Sequence, residues 1–168
     1  KCLKLFDLLC AKYLLVEGGL NPVNDLPAGY RLVYDGKAKV FENPNAISRA
    51  FIANKVKIME GKAILEELNK KDFNPYEYVI LEEDIPGKDL TKAERWSLSK
   101  ATIIEDLPEK VVLKVNSENE GMLVLADTFY PGWKAFVDGQ EEKIYRANYL
   151  FRAVPIECCE HTVRFIYK

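Results

Sequence analysis

The closing segment of the chain, residues 98–168, consists of short β-prone runs separated by clusters of turn residues. Strand-length runs at intervals of roughly 8–12 residues predict an antiparallel sandwich or barrel. Apolar side chains alternate along residues 111–115 and again along 163–167, which favours two facing layers. We therefore expect a jelly-roll-like antiparallel β-sandwich. The strand-length runs are 102–105, 111–115, 122–127, 133–137, 142–145, 149–154 and 162–167.

The first half of the chain mixes helical and strand patterns. Apolar residues at helical spacing predict one helix over 2–11 and another over 61–71. Asp35-Gly36 between two strand-like runs predicts a hairpin with a type I′ turn, and 21–29 is expected to be a loop. The remaining strands are expected over 13–16, 30–34, 37–42, 49–58 (as one or two) and 76–81.

These patterns predict a mostly β chain with three parts. A small α+β lobe is expected over 1–84, a charged junction over 85–97 and the β-sandwich over 98–168.

Composition excludes several classes of protein. With 24 Lys+Arg against 26 Asp+Glu and a formal charge of −2, the chain lacks the excess of cations that nucleic-acid binding requires. Hydrophobic residues make up 48% of the chain, which is enough for a packed core. The longest apolar run, residues 122–126, is far shorter than the roughly 20 residues that span a bilayer.

The sequence contains no complete catalytic or metal-binding motif. The one histidine, His161, and four cysteines without zinc-site spacing predict no metal and no cofactor. Adjacent carboxylates such as Glu66-Glu67 do not face each other across a cleft as glycoside hydrolysis requires, so we interpret them as surface charges. We interpret His161 as structural and the cysteines as thiols without a chemical task, although a bridge from Cys2 or Cys10 to the 158–159 pair stays open.

Residues 127–133, with the sequence DTFYPGW, form the most unusual segment of the chain. It places three aromatic residues and a Pro-Gly turn between two predicted strands. Aromatic faces can stack on sugar rings, and Asp127 can accept hydrogen bonds from sugar hydroxyls. The alternative is a turn whose aromatic side chains cap the sandwich core, and we favour it because aromatic residues dominate cores generally.

A second segment, residues 146–152, alternates between two faces of a predicted strand. Arg146, Asn148 and Arg152 fall on one face and can bind a phosphate or a carboxylate. The alternative, which we favour, is pairing of the arginines with Asp127, Asp138 or a neighbouring glutamate.

Several strings, spread in order over nearly the whole chain, resemble the C-terminal extracytoplasmic domain of the YfhO family. They are FDLL (6–9), AKYL (11–14), VFENPNA (40–46), RAF (49–51), DFNP (72–75), LADTFYPGW (125–133), VDG (137–139), IYRANY (144–149), FRAV (151–154) and VRF (163–165). One departure is visible at residues 157–159. Where members of the family usually turn through a Pro-Ala-Gly-like sequence, this chain has ECC, so an altered turn is expected and the register of the final strand stays open.

Members of that family are multispanning bacterial membrane proteins similar to lipid-sugar-dependent glycosyltransferases. The resemblance implies that this chain is a module displayed outside the cytoplasm and attached to the transmembrane helices of the same parent chain. The presumed catalytic acid of the family lies in an early loop, and no position here corresponds to it. We therefore expect no catalytic residue in this chain.

Two functional hypotheses follow. In the first, the module helps to hold a cell-envelope glycan acceptor at the membrane surface. Its candidate glycan contacts are Asp127, Tyr130, Trp133, Arg146, Asn148 and Arg152. In the second, the same residues form a buried turn and ion-pair lock in a structural or protein-interaction module that has no small ligand. A free-standing hydrolase is a poor third hypothesis because no catalytic constellation is present.

Overall fold

The computed structural model describes residues 4–17, 26, 29–90 and 99–168. The chain divides into two compact units, Lys1–Arg49 and Ala50–Lys168. The predicted loop at 21–29 lies almost entirely outside the described residues, as do the first two residues of the predicted helix over 2–11.

The first unit is a short helix with a small antiparallel sheet, as the sequence predicted. Its strands are hydrogen-bonded in the order β1-β3-β2. In chain order its elements are α1 (Lys4–Leu8), β1 (Tyr13–Glu17), β2 (Arg31–Asp35) and β3 (Ala38–Glu42).

The side chain of Asn43, which is buried, ties this helix to the sheet. Its Nδ2 donates to Asp7 Oδ1 at 2.8 Å and to the carbonyl oxygen of Ala11 at 3.1 Å. Its backbone N–H donates to the carbonyl oxygen of Lys12 at 2.7 Å. A buried amide with its hydrogen bonds satisfied specifies one geometry, so Asn43 fixes where the chain leaves the helix.

The predicted hairpin between β2 and β3 is confirmed, but its predicted turn type is wrong. A type I′ turn needs positive φ at both central residues, and neither Asp35 nor Gly36 has one. The register between the two strands shifts between Leu32 and Tyr34. Because Asp35 pairs with Lys39, residues 36–38 lie between the last paired residues, so Asp35 and Gly36 do not form a two-residue loop.

The second unit contains two sheets. The five-stranded sheet has the order β11-β10-β14-β8-β7 and is antiparallel, and the six-stranded sheet has the order β4-β9-β13-β12-β6-β5. The elements are β4 (Ala50–Ala53), β5 (Lys55–Ile58), α2 (Lys62–Leu68), β6 (Tyr78–Leu81), β7 (Lys100–Leu107), β8 (Lys110–Ser117), β9 (Gly121–Thr128), β10 (Trp133–Val137), β11 (Gln140–Glu142), β12 (Tyr145–Ala147), β13 (Phe151–Ile156) and β14 (Cys159–Tyr167).

A hydrophobic core joins the two sheets into the predicted sandwich. Alternate residues of β8 and β14 from one sheet pack against alternate residues of β9 and β13 from the other. The predicted inward direction of residues 111–115 is confirmed. Buried core members are Ala50, Ile52, Val111, Leu113, Val115, Leu123, Leu125, Ala135, Val154, Ile156, Val163 and Phe165.

The six-stranded sheet is mixed rather than purely antiparallel. Strands β5 and β6 run parallel, and α2 lies in the connection between them, as a parallel pair requires a long crossover. Strand β6 then pairs with β12 at Leu81 and Ala147, while β4 pairs with β9.

These pairings move the boundary between the units away from the predicted one. Residues 50–81, which we expected in the first lobe, supply three strands of the six-stranded sheet. The expected boundary followed the charged stretch after residue 81. Hydrogen bonding between strands distant in sequence placed the observed division at Arg49 and Ala50 instead.

The altered turn at residues 157–159 leaves the final strand in an unbroken register. Strand β14 pairs with β8 without a shift from Cys159, opposite Ser117, to Ile166, opposite Lys110. Within the described parts of the chain, no helix combines the length and the apolar character needed to cross a bilayer.

A charged side chain, Glu67, lies on the buried face of α2 beside Ile64 and Leu68. Its carboxylate accepts a hydrogen bond from Tyr78 Oη at 2.8 Å. It also forms ion pairs with Lys57 Nζ at 2.8 Å and Lys70 Nζ at 2.6 Å. The hydrogen bond from Lys57, followed by those from Lys70 and Tyr78, lowers the pKa of Glu67 from 4.5 to about 2.

We predict that Glu67→Gln lowers the free energy of unfolding by about 1–3 kcal/mol at pH 7, since a neutral amide cannot replace the paired carboxylate. Because the folded-state pKa is depressed, the stabilisation is fully present above about pH 4.5 and is lost as pH falls toward 2. The difference between Glu67→Gln and the unchanged chain should therefore shrink over that interval in denaturant titrations. Glu66→Gln, at the exposed neighbouring position, is the matched control, and an equal loss there or a pH-independent difference would contradict the prediction.

Candidate functional site

Arg152, on β13, is buried between the two sheets near one end of the sandwich. It is 3% exposed, and its Nη2 donates to Asp127 Oδ2 at 2.7 Å. Its guanidinium carbon lies 3.8 Å above the Trp133 ring of the opposite sheet and 5.5 Å from the Phe165 ring. A guanidinium removed from water needs a charge partner, and stacking on an indole face adds further attraction. We call Asp127, Trp133 and Arg152 the arginine lock.

A bulge in β9 carries the carboxylate of this lock. Arg152 lies opposite Leu125, whereas the preceding Phe151 lies opposite Thr128. Ala126 and Asp127 are therefore extra residues on β9, and a bulge of this kind redirects a side chain.

The loop after β9 lies against the turn between β12 and β13. Phe129 N–H donates to the carbonyl oxygen of Leu150 at 2.7 Å, and the Trp133 and Tyr167 rings lie 5.6 Å apart. Gly132 has a φ of +97°, and a Cβ there would lie 2.8 Å from the Tyr167 ring, so this position requires glycine.

Aromatic side chains remain accessible around this loop. Tyr130 is 61% exposed, Tyr149 and Tyr167 are also exposed, and Trp133 is half-buried. We call these four residues the aromatic rim. Its segments are joined by the hydrogen bond and ring contact just described, so the lock and the rim share Trp133 and belong to one end of the sandwich.

Residues 145–156 form a hairpin, which corrects the single alternating strand segment predicted over 146–152. Strand β12 ends at Ala147 and β13 begins at Phe151, so Arg146 lies opposite Arg152 across the hairpin. Asn148 and Tyr149 adopt φ values of 47° and 72° in the turn. The turn at these two residues divides the segment, and the alternation of residue types along the sequence gives no sign of it.

Asn148 is buried and forms hydrogen bonds with the six-stranded sheet instead of lying exposed on the surface. It is 3% exposed, its N–H donates to the carbonyl oxygen of Ile80 at 2.8 Å, and its Oδ1 accepts from Ile80 N–H at 3.0 Å. It therefore continues the pairing of the turn with β6. Arg146, by contrast, is half exposed, lies 3.6 Å from Glu82 and has its guanidinium 5.5 Å from the Phe129 ring.

The six predicted site residues thus divide into two groups. Asp127 and Arg152 pair inside the lock, and Asn148 holds β6. Tyr130, Trp133 and Arg146 expose aromatic or cationic surface at the same end of the sandwich. The internal pairing of Arg152 with Asp127 is the arrangement that the sequence analysis favoured for this arginine.

A second polar cluster, at His161 and Asp138, was not predicted as a site. His161 Nδ1 lies 2.7 Å from Asp138 Oδ2, and its Nε2 lies 3.1 Å from the carbonyl oxygen of Cys158. These two residues line grooves of about 470 and 240 Å³. No motif spacing joins residues 23 positions apart, and only the pairing of β10 with β14 brings them together.

Both members of this pair favour their charged forms. The hydrogen bond from Thr162 N–H, followed by that from His161, lowers the pKa of Asp138. Burial alone lowers the pKa of His161, but the hydrogen bonds to Asp138 and to the Cys158 carbonyl outweigh it and raise the pKa. The second ring nitrogen of His161 is hydrogen-bonded to a backbone carbonyl. The charged pair of His161 and Asp138 therefore links the start of β14 to the end of β10.

Among the described residues, no group of three or more His, Cys, Asp or Glu side chains could hold a metal ion. Comparison with protein families, curated proteins and solved structures finds no match for this chain.

We predict that Arg152→Lys lowers the free energy of unfolding by about 1–3 kcal/mol, because lysine keeps the charge but loses the planar stack on Trp133 and the guanidinium geometry. Arg146→Lys, at the half-exposed position opposite, is the matched control and should change it by about 0.5 kcal/mol or less. Denaturant unfolding measures both, and equal effects would show that the lock adds no stability.

We predict that Asp138→Asn lowers the pKa of His161, because asparagine keeps an oxygen for Thr162 N–H and tolerates the φ of 49° at this position but removes the negative charge. In the unchanged chain, the stabilisation from His161 is present below its ordinary pKa of 6.5 and is lost as pH rises through its raised folded-state value. NMR titration of the His161 ring measures the shift. Asp84→Asn, at an exposed position elsewhere, should leave it unchanged, and an unaltered His161 pKa in Asp138→Asn would contradict the assignment.

Proposed function

We propose that this chain is a non-catalytic extracytoplasmic module of a multispanning membrane protein similar to a lipid-sugar-dependent glycosyltransferase, and that its aromatic rim contacts a cell-envelope glycan acceptor. The observation that carries the glycan proposal is the exposure of Tyr130 beside Trp133, at the end of the sandwich held by the arginine lock. The membrane-bound parent rests on the family resemblance of the sequence.

The chemistry of the rim suits a carbohydrate. Aromatic faces provide apolar contact for the C–H faces of a sugar ring, and a few polar groups set its orientation. Arg146 supplies exposed N–H donors next to this surface, since it lies over the Phe129 ring at the base of the loop. Tyr130, Trp133 and Arg146 are the proposed contacts.

The other three candidate residues support the site without touching the glycan. Asp127 and Arg152 hold the bulge and the Trp133 ring in place, and Asn148 fixes the turn that carries Tyr149. Supporting residues of this kind keep an aromatic surface preorganised, so that binding does not have to order the loop.

A specific observation also favours a second candidate function. Because Arg152 is paired internally with Asp127, the same residues fit a structural or protein-interaction module that binds no small ligand. In that case the aromatic rim would contact protein, and no sugar would perturb it.

We predict that soluble oligosaccharides released from bacterial cell envelopes shift the NMR signals of Tyr130, Trp133 and Arg146. Tyr130→Ala should weaken binding by about three- to tenfold, the range expected for loss of one aromatic contact. Tyr34→Ala is the matched control, because Tyr34 is 60% exposed but belongs to the first unit. It should leave the affinity unchanged.

The outcomes separate the two functions. Shifts that avoid the three residues, or equal weakening by Tyr34→Ala, would contradict the glycan contact. The absence of shifts with every oligosaccharide would favour the structural module. Turnover of a sugar substrate by the purified chain, or a gene that encodes this chain without apolar segments around it, would contradict the non-catalytic membrane module.

A further inference from the structure

Two adjacent cysteines, Cys158 and Cys159, lie exposed in the turn that leads from β13 into β14. Their Sγ atoms are 3.6 Å apart, which is a thiol–thiol contact and not a bond. Side chains of neighbouring residues in an extended strand point to opposite faces, so their convergence here reflects the turn itself.

The backbone at this turn is unusual for cysteine. Cys159 has a φ of 87°, in the left-handed region that glycine adopts readily and that other residues adopt at a cost of about 1–3 kcal/mol. Glycine would relieve this cost, but only a cysteine can place a second thiol beside Cys158. The strained conformation therefore singles out this pair of thiols.

The thiol contact is polar and has a direction. The Cys159 S–H donates to the Cys158 sulfur, and this hydrogen bond raises the pKa of Cys159. Because the raised pKa keeps Cys159 protonated in this contact, Cys158 is the better nucleophile of the two. Cys159 is placed to react second.

We propose that Cys158 and Cys159 form a reversible oxidative modification site that takes a small-molecule disulfide as its oxidant and closes to a vicinal disulfide. In the first step the Cys158 thiolate attacks one sulfur of the oxidant, forming a mixed disulfide and releasing one thiolate. In the second step the Cys159 thiolate attacks the Cys158 sulfur and releases the other. Two protein thiols lose two electrons and two protons, and one disulfide becomes two thiols.

The ring formed by adjacent cysteines is small, which explains why the modification is reversible. Strained or exposed disulfides are the labile ones, whereas unstrained structural disulfides resist reduction. The site is at the turn where β14 starts, and the carbonyl of Cys158 accepts from His161. Closure of the ring therefore affects the hydrogen bond between Cys158 and His161, and through it the pair of His161 with Asp138.

The experiment treats the folded chain with oxidised glutathione and digests it with trypsin after blocking the remaining thiols. Both cysteines fall in one tryptic peptide, residues 153–164, and Cys10 falls in another, residues 5–12. We expect peptide 153–164 to lose two hydrogen atoms and carry no glutathione, and to regain them with a thiol reductant. Peptide 5–12, with a single cysteine, cannot form a disulfide within itself.

Two variants test the order of the steps. In Cys159→Ser, one glutathione should accumulate on Cys158, since the resolving thiol is gone. In Cys158→Ser, the glutathione adduct on Cys159 should form several-fold more slowly. Two glutathiones on peptide 153–164, a disulfide to another peptide or chain, or no oxidation at all would overturn the proposal, and equal adduct rates in both variants would overturn the assigned order.

Discussion

The end of the sandwich that carries the aromatic rim depends on the interactions of one buried group, the guanidinium of Arg152 between the two β-sheets. A charge in that position must be paired, and the bulge in β9 delivers the carboxylate of Asp127 to it at 2.7 Å. The same guanidinium stacks on Trp133, which belongs to the opposite sheet. One side chain therefore holds together a bulge, a loop and both layers, and the exposed aromatic residues are carried on that framework.

Much of the fold could be predicted because local patterns and final pairing agree there. Alternation along 111–115 marks the inward face of β8, and the turn clusters mark the ends of nearly every strand in the sandwich. The division between the units could not be predicted in the same way. Residues 50–81 join their sheet through β9 and β12, and pairing partners so distant in sequence leave no local signal.

The candidate site was predictable in its composition and in the internal pairing of Arg152, but not in the turn that divides its second segment. The segments 127–133 and 146–152 do meet at one end of the sandwich, joined by Arg152, Asp127 and the hydrogen bond from Phe129 to Leu150. Alternation along the sequence predicted Asn148 and Arg152 on one strand face, because the sequence does not show the positive φ that places Asn148 in a turn. Contacts across the fold, such as His161 with Asp138 and Glu67 with Lys57, carry no spacing signal at all.

The central claim is that Asp127 and Arg152 act as one unit inside the sandwich. A double-mutant cycle on the free energy of unfolding, with Asp127→Asn, Arg152→Met and the double variant, tests it most directly. We expect a coupling energy of about 1–3 kcal/mol, because either single change leaves the charge of the remaining side chain in the interior without its charged partner. Additive effects, with a coupling energy near zero, would show that the two side chains are independent and would contradict the account.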